Sequence, residues 1–207
     1  KLNYAPVPHI CHRYPNEEDS DALYRLSVGV MSYKVLSVVE LSNRLPWPNR
    51  RIRGAKRAAA GGLKVCESED WANSWCLLDV QLETRFDSAP VHTLEGNTLL
   101  RRDFPDNIKL HTCVDAGGAL QAGVVIYESE RVAPIQYIAS SDPGRRVRAV
   151  DCLFSELRDE NYAGKPFFDF GSSEGVNDHG LAAGLIEQKE GFGGRTMVQG
   201  VHALEIL

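Results

Sequence analysis

The sequence predicts a mixed α/β (α+β) protein in which a largely antiparallel sheet is flanked by helices. From residue 63 onward, the hydrophobic period changes in the order strand, helix, helix, three strands, helix, strand, helix, strand. The three successive strand-like runs are separated only by Asp115-Ala116-Gly117-Gly118 and by Glu128-Ser129-Glu130-Arg131, so they read as an antiparallel meander. A chain of 207 residues, 43% hydrophobic and 25% charged, can bury a sizeable core and carries no disordered or collagen-like bias.

The elements follow in order. Asn16-Glu17-Glu18-Asp19-Ser20-Asp21 leads into Ala22, Leu23, Leu26 and Val30, a helix whose acidic first turn suits the macrodipole. Leu45-Pro46-Trp47-Pro48 bars a continuous helix and marks a linker. The expected organisation is therefore an N-terminal appendage at 1–48, the remnant of a preceding lobe, and a main domain at 49–207. Because the chain begins at lysine, the natural protein is expected to extend further and to complete that first lobe.

Residues 50–57 carry five cations and lead through alanines to Gly61-Gly62, a basic helix stopped by glycine. A short strand at 63–66 precedes Ser68, the expected N-cap of a helix with Trp71, Trp75, Leu78 and Leu82 on one face. Thr93 caps a second helix that carries Leu99 and Leu100 and ends before Phe104-Pro105. The meander strands are Ile108–Val114, Leu120–Tyr127 and Val132–Ser140. Beyond Asp142-Pro143-Gly144, residues Val147, Val150, Leu153, Phe154 and Leu157 keep the spacing of one helix. A strand at 166–170, a polar loop at 171–178, a helix at 180–190 and a strand at 196–206 complete the chain, with Gly193-Gly194 turning between the last two.

The net charge of −5 disfavours general DNA binding, although a local patch could still grip phosphates. No apolar run approaches the roughly 20 residues that span a bilayer and the start lacks a signal-peptide core, so no membrane span and a cytoplasmic setting are expected. Five widely spaced cysteines without Cys-x-x-Cys fit neither a disulfide framework nor a zinc site; reduced, mostly buried thiols are expected. His9-Ile10-Cys11-His12 has metal-capable side chains, but sequence neighbours rarely converge tetrahedrally, so no metal is expected. Gly191-Phe192-Gly193-Gly194 lacks the Gly-Lys-Ser/Thr of a phosphate loop.

Phe167-Phe168-Asp169-Phe170-Gly171-Ser172-Ser173, followed by Gly184-Leu185-Ile186-Glu187-Gln188-Lys189-Glu190-Gly191-Phe192-Gly193-Gly194, resembles the FemAB-like (peptidoglycan-bridge) branch of the GNAT acyltransferase superfamily. That branch has an aromatic-Asp-Phe-Gly strand before a helix ending in lysine and an aromatic-glycine step. Pro90-Val91-His92-Thr93-Leu94-Glu95, Phe104-Pro105-Asp106-Asn107-Ile108 and Gln136-Tyr137-Ile138-Ala139 are typical of bacterial members, and the element order from residue 63 is that of the GNAT fold. The resemblance covers residues 50–207. It implies transfer of an acyl or aminoacyl group, from acetyl-coenzyme A or another acyl-coenzyme A or from aminoacyl-tRNA, to a small-molecule or peptide amine. The contrasting reading is a catalytically silent GNAT-like binding or scaffold module. Some relatives carry arginine where this chain has Ser172, so their substrate is not carried over.

The family places an oxyanion-stabilising lysine where Lys189 sits; otherwise Lys189 is a solvated cation near a helix C-terminus. Its spacing from Leu181 and Leu185 predicts a stem on their apolar face. Asp169 alternates with Phe168 and Phe170 and either takes a proton from the amine or is satisfied by amides of the Gly171-Ser172-Ser173 turn. His92 and Glu95 could polarise the amine, or serve with Thr93 as a helix entrance. Tyr137 could protonate the leaving group or pack in the core. Gly144, Arg145 and Arg146 lie where GNAT enzymes seat the coenzyme A pyrophosphate, yet the usual Gln/Arg-x-x-Gly-x-Gly/Ala pattern is absent and a plain turn is the alternative. The basic run at 50–57 could hold tRNA or a nucleotide-linked precursor, or be a solvated helix face.

Overall fold

The structure, a computed structural model, describes residues 1–175 and 180–205. In chain order its elements are β1 (Leu2–Tyr4), a 3-10 turn (His9–Cys11), α1 (Glu18–Arg25), β2 (Val30–Glu40), α2 (Asn49–Ala60), β3 (Lys64–Glu67), α3 (Trp71–Phe86), α4 (Leu94–Asp103), β4 (Ile108–Val114), β5 (Leu120–Tyr127) and β6 (Val132–Ser140). Then come α5 (Asp142–Arg146), α6 (Ala149–Glu156), a π-helical turn (Leu157–Asn161), β7 (Phe167–Ser172), α7 (Ala183–Glu190) and β8 (Arg195–Leu204). The expected mixed α/β class holds, and every strand pairing described below is antiparallel.

The chain divides into two compact units. A central unit comprises Pro46–Glu128 and Ala133–Gly164; a terminal unit comprises Lys1–Leu45, Ser129–Val132 and the described part of Lys165–Leu207. Residues 1–45, expected as part of an appendage, thus share a unit with the end of the chain.

In the central unit, β3, β4, β5 and β6 pair in sequence, and the register Leu110↔Val125↔Tyr137 sets one face of the sheet. Ile108, Leu110 and Val125 on that face pack with Trp71 from α3 and Leu100 from α4. The turn after β4 is fixed by Asp115, whose Oδ1 accepts from the amides of Gly117 and Ala119. Helix α3 starts two residues later than expected: Asp70 accepts from the Asn73 amide, while Ser68 Oγ accepts from the Asp70 amide. The Thr93 cap of α4 is as expected, accepting from Gly96 N at 3.0 Å.

The expected single helix after Asp142 is two. Ser141 caps the short α5, and Arg148 then adopts a left-handed conformation (φ 64°) that breaks the helix before α6. Helix α6 packs on β4 and β5 and carries the buried Asp151. Arg51 of α2 donates to Asp151 Oδ1 at 2.5 Å, with their side chains 12% and 2% exposed. Gly54 lets this carboxylate approach, because a Cβ there would lie 2.3 Å from Asp151 Oδ2. One cation of the basic run is thereby a packing residue, while Arg50, Arg53, Lys56 and Arg57 are exposed.

In the terminal unit, β2 lies between β8 and β7, and β1 adds to the far edge of β8. Strand β2 is missing from the sequence prediction, which extends a helix to Val30. Helix α1 instead ends at Arg25, Ser27 turns at φ 54°, and Val30 begins the strand. The run of β-branched and aromatic residues from Val28 to Val39 is the signal for it. Phe168 and Phe170 of β7 are buried and Phe170 stacks on Phe192, centroids 5.8 Å apart. Residues 176–178 of the predicted loop and Ile206 of the last predicted strand lie outside the described residues. All five cysteines are free, but only Cys113 and Cys152 are buried; Cys66 and Cys76 are exposed, contrary to the expectation of mostly buried thiols.

Two tests follow from the central unit. Gly54→Ala should lower unfolding free energy by about 2 kcal/mol in urea titrations, through overpacking against a carboxylate that Arg51 holds in place. Gly29→Ala, with open space at its Cβ, is the matched control and should be close to neutral. His111 is 3% exposed and burial pushes its pKa down to about 4. Its neutral form is favoured by folding, so its contribution is complete above the unfolded value near 6.5 and is lost as pH falls toward 4, amounting to about 3 kcal/mol. Comparing His111→Asn with the parent from pH 7 to 4 checks this: the stability gap between them should narrow as pH falls.

Candidate functional site

The central unit brings together two residues that the sequence treats separately. Tyr137 on β6 points to the entrance of α4, where its hydroxyl accepts from the His92 amide at 3.0 Å and lies 2.7 Å from His92 Nδ1. All three groups are satisfied when the hydroxyl accepts the amide hydrogen and donates its own proton to Nδ1, which leaves the ring hydrogen on Nε2. In that tautomer His92 meets a ligand as a donor and not as a base. The Tyr137 ring packs edge-on against Trp75, centroids 5.3 Å apart, so it also serves the core. Glu95 is exposed in the first turn of α4, the place a helix entrance gives it. Beside the pair, burial and Tyr137 push the Tyr127 pKa up to about 12, and its hydroxyl donates to Asn97 Oδ1 at 2.7 Å. No pattern in the sequence singles out Tyr127 or Asn97, whose side-chain amide nitrogen is buried without a partner.

Gly144, Arg145 and Arg146 form a loop closed by its own bonds. Gly144 N donates to Ser141 Oγ at 2.9 Å, and Arg145 N donates to Ser141 O. The Arg145 guanidinium donates to Ser140 O and contacts the Asp142 carboxylate. Gly144 is required by packing, since a Cβ would come 2.0 Å from Gln121 O. Arg146 is exposed. The amides nearest a phosphate are thus already spoken for, and a phosphate seat here would need these bonds to open.

In the terminal unit, α7 presents a different picture from the one predicted. It starts at Ala183, so Leu181 lies outside it, and Leu181 and Leu185 are both 37% exposed. Lys189 is the helix's only buried residue, at 4% exposure. Its ammonium donates to Gly171 O at 3.0 Å and, more closely still, to Ser172 O, at the end of β7. Burial lowers the Lys189 pKa to about 8, while the Asp169 carboxylate acts in the opposite direction. With two hydrogens engaged, the third ammonium hydrogen is open to a further acceptor.

Asp169 is half-buried. Its Oδ1 accepts from Gly171 N at 2.8 Å, the backbone satisfaction the turn suggested, and burial raises its pKa. Gly171 turns at φ 69°, a conformation that directs two successive carbonyls toward Lys189 and needs glycine. Val38 of β2 pairs with Asp169 on one side and with Arg195 on the other. The 3-10 turn at His9–Cys11 brings Cys11 to Asp169, whose charge adds to burial in raising the thiol pKa. Next to it is a cavity of about 400 Å³ lined by His9, Val38, Glu40, Asn43, Arg195 and Met197 among others. No sequence signal linked Cys11, Glu40 or Arg195 to Asp169, because strand register places Glu40 and Arg195, and a turn distant in sequence places Cys11. Among the described residues no His, Cys, Asp or Glu cluster of three or more could hold a metal ion. No described helix is long and apolar enough to cross a membrane.

No protein-family model matches this sequence, and no curated protein is similar to it. Solved structures are. FemX is similar with a TM-score of 0.69 at 11% identity over 88% of this chain and 68% of that one. The C-terminal domain of a candidate lysylphosphatidylglycerol synthetase from Agrobacterium fabrum gives 0.63 at 14% identity, over 88% of this chain and 63% of that one. L-PGS from Bacillus licheniformis gives 0.62 at 13% identity, over 89% and 65%. This chain therefore spans about two thirds of the length of each. At such identities the likeness establishes the fold and nothing more: this chain has the GNAT/FemAB-like fold.

Proposed function

We propose that this protein is a cytoplasmic N-acyltransferase that moves an aminoacyl or acyl group onto an amine, with Lys189 stabilising the tetrahedral oxyanion. The observation that carries this reading is the buried Lys189 ammonium, held on Gly171 O and Ser172 O with one hydrogen unspent and with Asp169 nearby. A neutral amine attacks the acyl carbonyl, the oxygen takes up negative charge, and the intermediate collapses by expelling the donor's alcohol or thiol. Asp169, its pKa raised by burial, would accept the proton that the attacking nitrogen loses.

Of the two donor classes, the ester of an aminoacyl-tRNA is favoured over a coenzyme A thioester. The turn at Gly144 and Arg145, where the resemblance would seat a pyrophosphate, is closed by internal bonds, whereas α2 offers exposed Arg53, Lys56 and Arg57 to a nucleic-acid backbone. The same closed loop is the observation that favours a catalytically silent module, in which Lys189 only holds α7 to β7.

Single-turnover mixing with aminoacyl-tRNA, with acyl-coenzyme A and with an amine panel tests the reading. Consumption of aminoacyl-tRNA only when amine is present is expected; consumption of neither donor would leave the silent module. In that assay Lys189→Met should lower kcat by roughly a hundredfold or more, as for loss of one oxyanion donor, and the charge-keeping Lys189→Arg should retain most of the rate if the charge and not the anchoring of α7 alone is what matters. The pH profile gives a separate check. The useful charge on Lys189 fades as pH rises through about 8, so kcat/KM should descend there, and Lys189→Arg should move that limb upward.

A further inference from the structure

The terminal-unit cavity carries charges of both signs that do not cancel each other. Glu40 and Arg195 line the same space of about 400 Å³, a size in the range of small-molecule sites. Among the described residues, neither forms an ion pair within 4 Å with the other. Each is instead held by a neutral group. Glu40 Oε1 accepts from Ser42 Oγ at 3.2 Å, and Arg195 Nη1 donates to Gly194 O at 2.7 Å. One carboxylate oxygen and most of the guanidinium donors remain for a ligand.

Strand register explains the arrangement. Val38 pairs with Arg195 across β2/β8 and with Asp169 across β2/β7, which sets the three on one face. Glu40 lies two residues beyond Val38 and so shares that face, one step past the start of β8. Val38 and Met197 supply apolar wall, and His9 and Asn43 supply further polar groups.

We propose that this cavity binds a zwitterionic amine, a free amino acid or a dipeptide, with its ammonium at Glu40 and its carboxylate at Arg195. A ligand with one charge would satisfy one side chain and be repelled by the other, so the pair selects for both charges together. The proposal rests on the transfer reading only in making this ligand the acceptor, because the cavity borders the β2 residue paired with Asp169. Binding itself needs no donor and no turnover.

Calorimetric titration of the whole chain with the common L-amino acids and with glycylglycine is the experiment. Each ligand that binds is compared with its decarboxylated amine and its N-acetyl acid. At least one zwitterion should bind saturably at concentrations up to about 10 mM, with both single-charge analogues weaker by about tenfold or more. Glu40→Gln and Arg195→Gln, at exposed positions that should not disturb folding, should each weaken the zwitterion by a similar factor. Arg195→Gln should leave the amine analogue no weaker, and Glu40→Gln should leave the acid no weaker. Failure of every zwitterion to bind, equal affinity for a single-charge analogue, or full affinity in either variant would overturn the proposal. Zwitterion binding without consumption of any donor would retain it and remove the transferase reading. Transfer to amino acids that survives both substitutions unchanged would do the reverse.

Discussion

The constraint on which the candidate site depends is a buried ammonium. Helix α7 is otherwise almost wholly exposed, and Lys189 is its one buried residue, so two charge-assisted bonds to Gly171 O and Ser172 O do for this helix what an apolar stripe does for most. Removing a charged group from water is costly, and the lowered pKa of Lys189 records that cost. It is tolerated because Gly171 turns its strand end with a positive φ and presents two carbonyls in succession. The Gly193-Gly194 turn then closes on the same helix end, where a Cβ at Gly194 would lie 3.0 Å from Lys189 O. Strand end, helix and turn are thereby tied to one nitrogen, and the acid that tempers its desolvation is Asp169 of the same strand.

The central unit uses buried polar groups differently. Asp151 sits between α2 and α6 with Arg51 as its partner, and His111 on β4 shares its Nε2 with the Tyr162 hydroxyl at 2.9 Å. These contacts specify which elements meet, because an unpaired carboxylate or imidazole in either place would be heavily penalised. Glycine serves the same end: Gly54 and Gly144 are sites where a carboxylate and a carbonyl come too close for any side chain. Two features with a functional look in the sequence, the basic run and the Asp142-Pro143-Gly144 turn, are thus partly explained by packing.

What the sequence by itself determined is the local order. The three meander strands, the α4 cap at Thr93 and the glycine stop of α2 all lie where hydrophobic period, capping chemistry and backbone preference place them, since each is decided within a few residues. Asp169 and Lys189 are singled out separately and by the family resemblance of their two segments, since period and capping alone leave each a satisfied carboxylate or a solvated helix-end cation. Strand β2 was missed although its β-branched run is plain, because a short acidic helix start upstream suggested continuing the helical period through Val30. Only the tertiary structure decided which residues meet. Sheet register sets Asp169, Val38 and Arg195 in one row, the 3-10 turn brings Cys11 to that row, and the meander carries Tyr137 to His92. Pairing partners more than a hundred positions apart leave no periodic trace in a single sequence, since period reports which face of an element is buried and never what lies across from it.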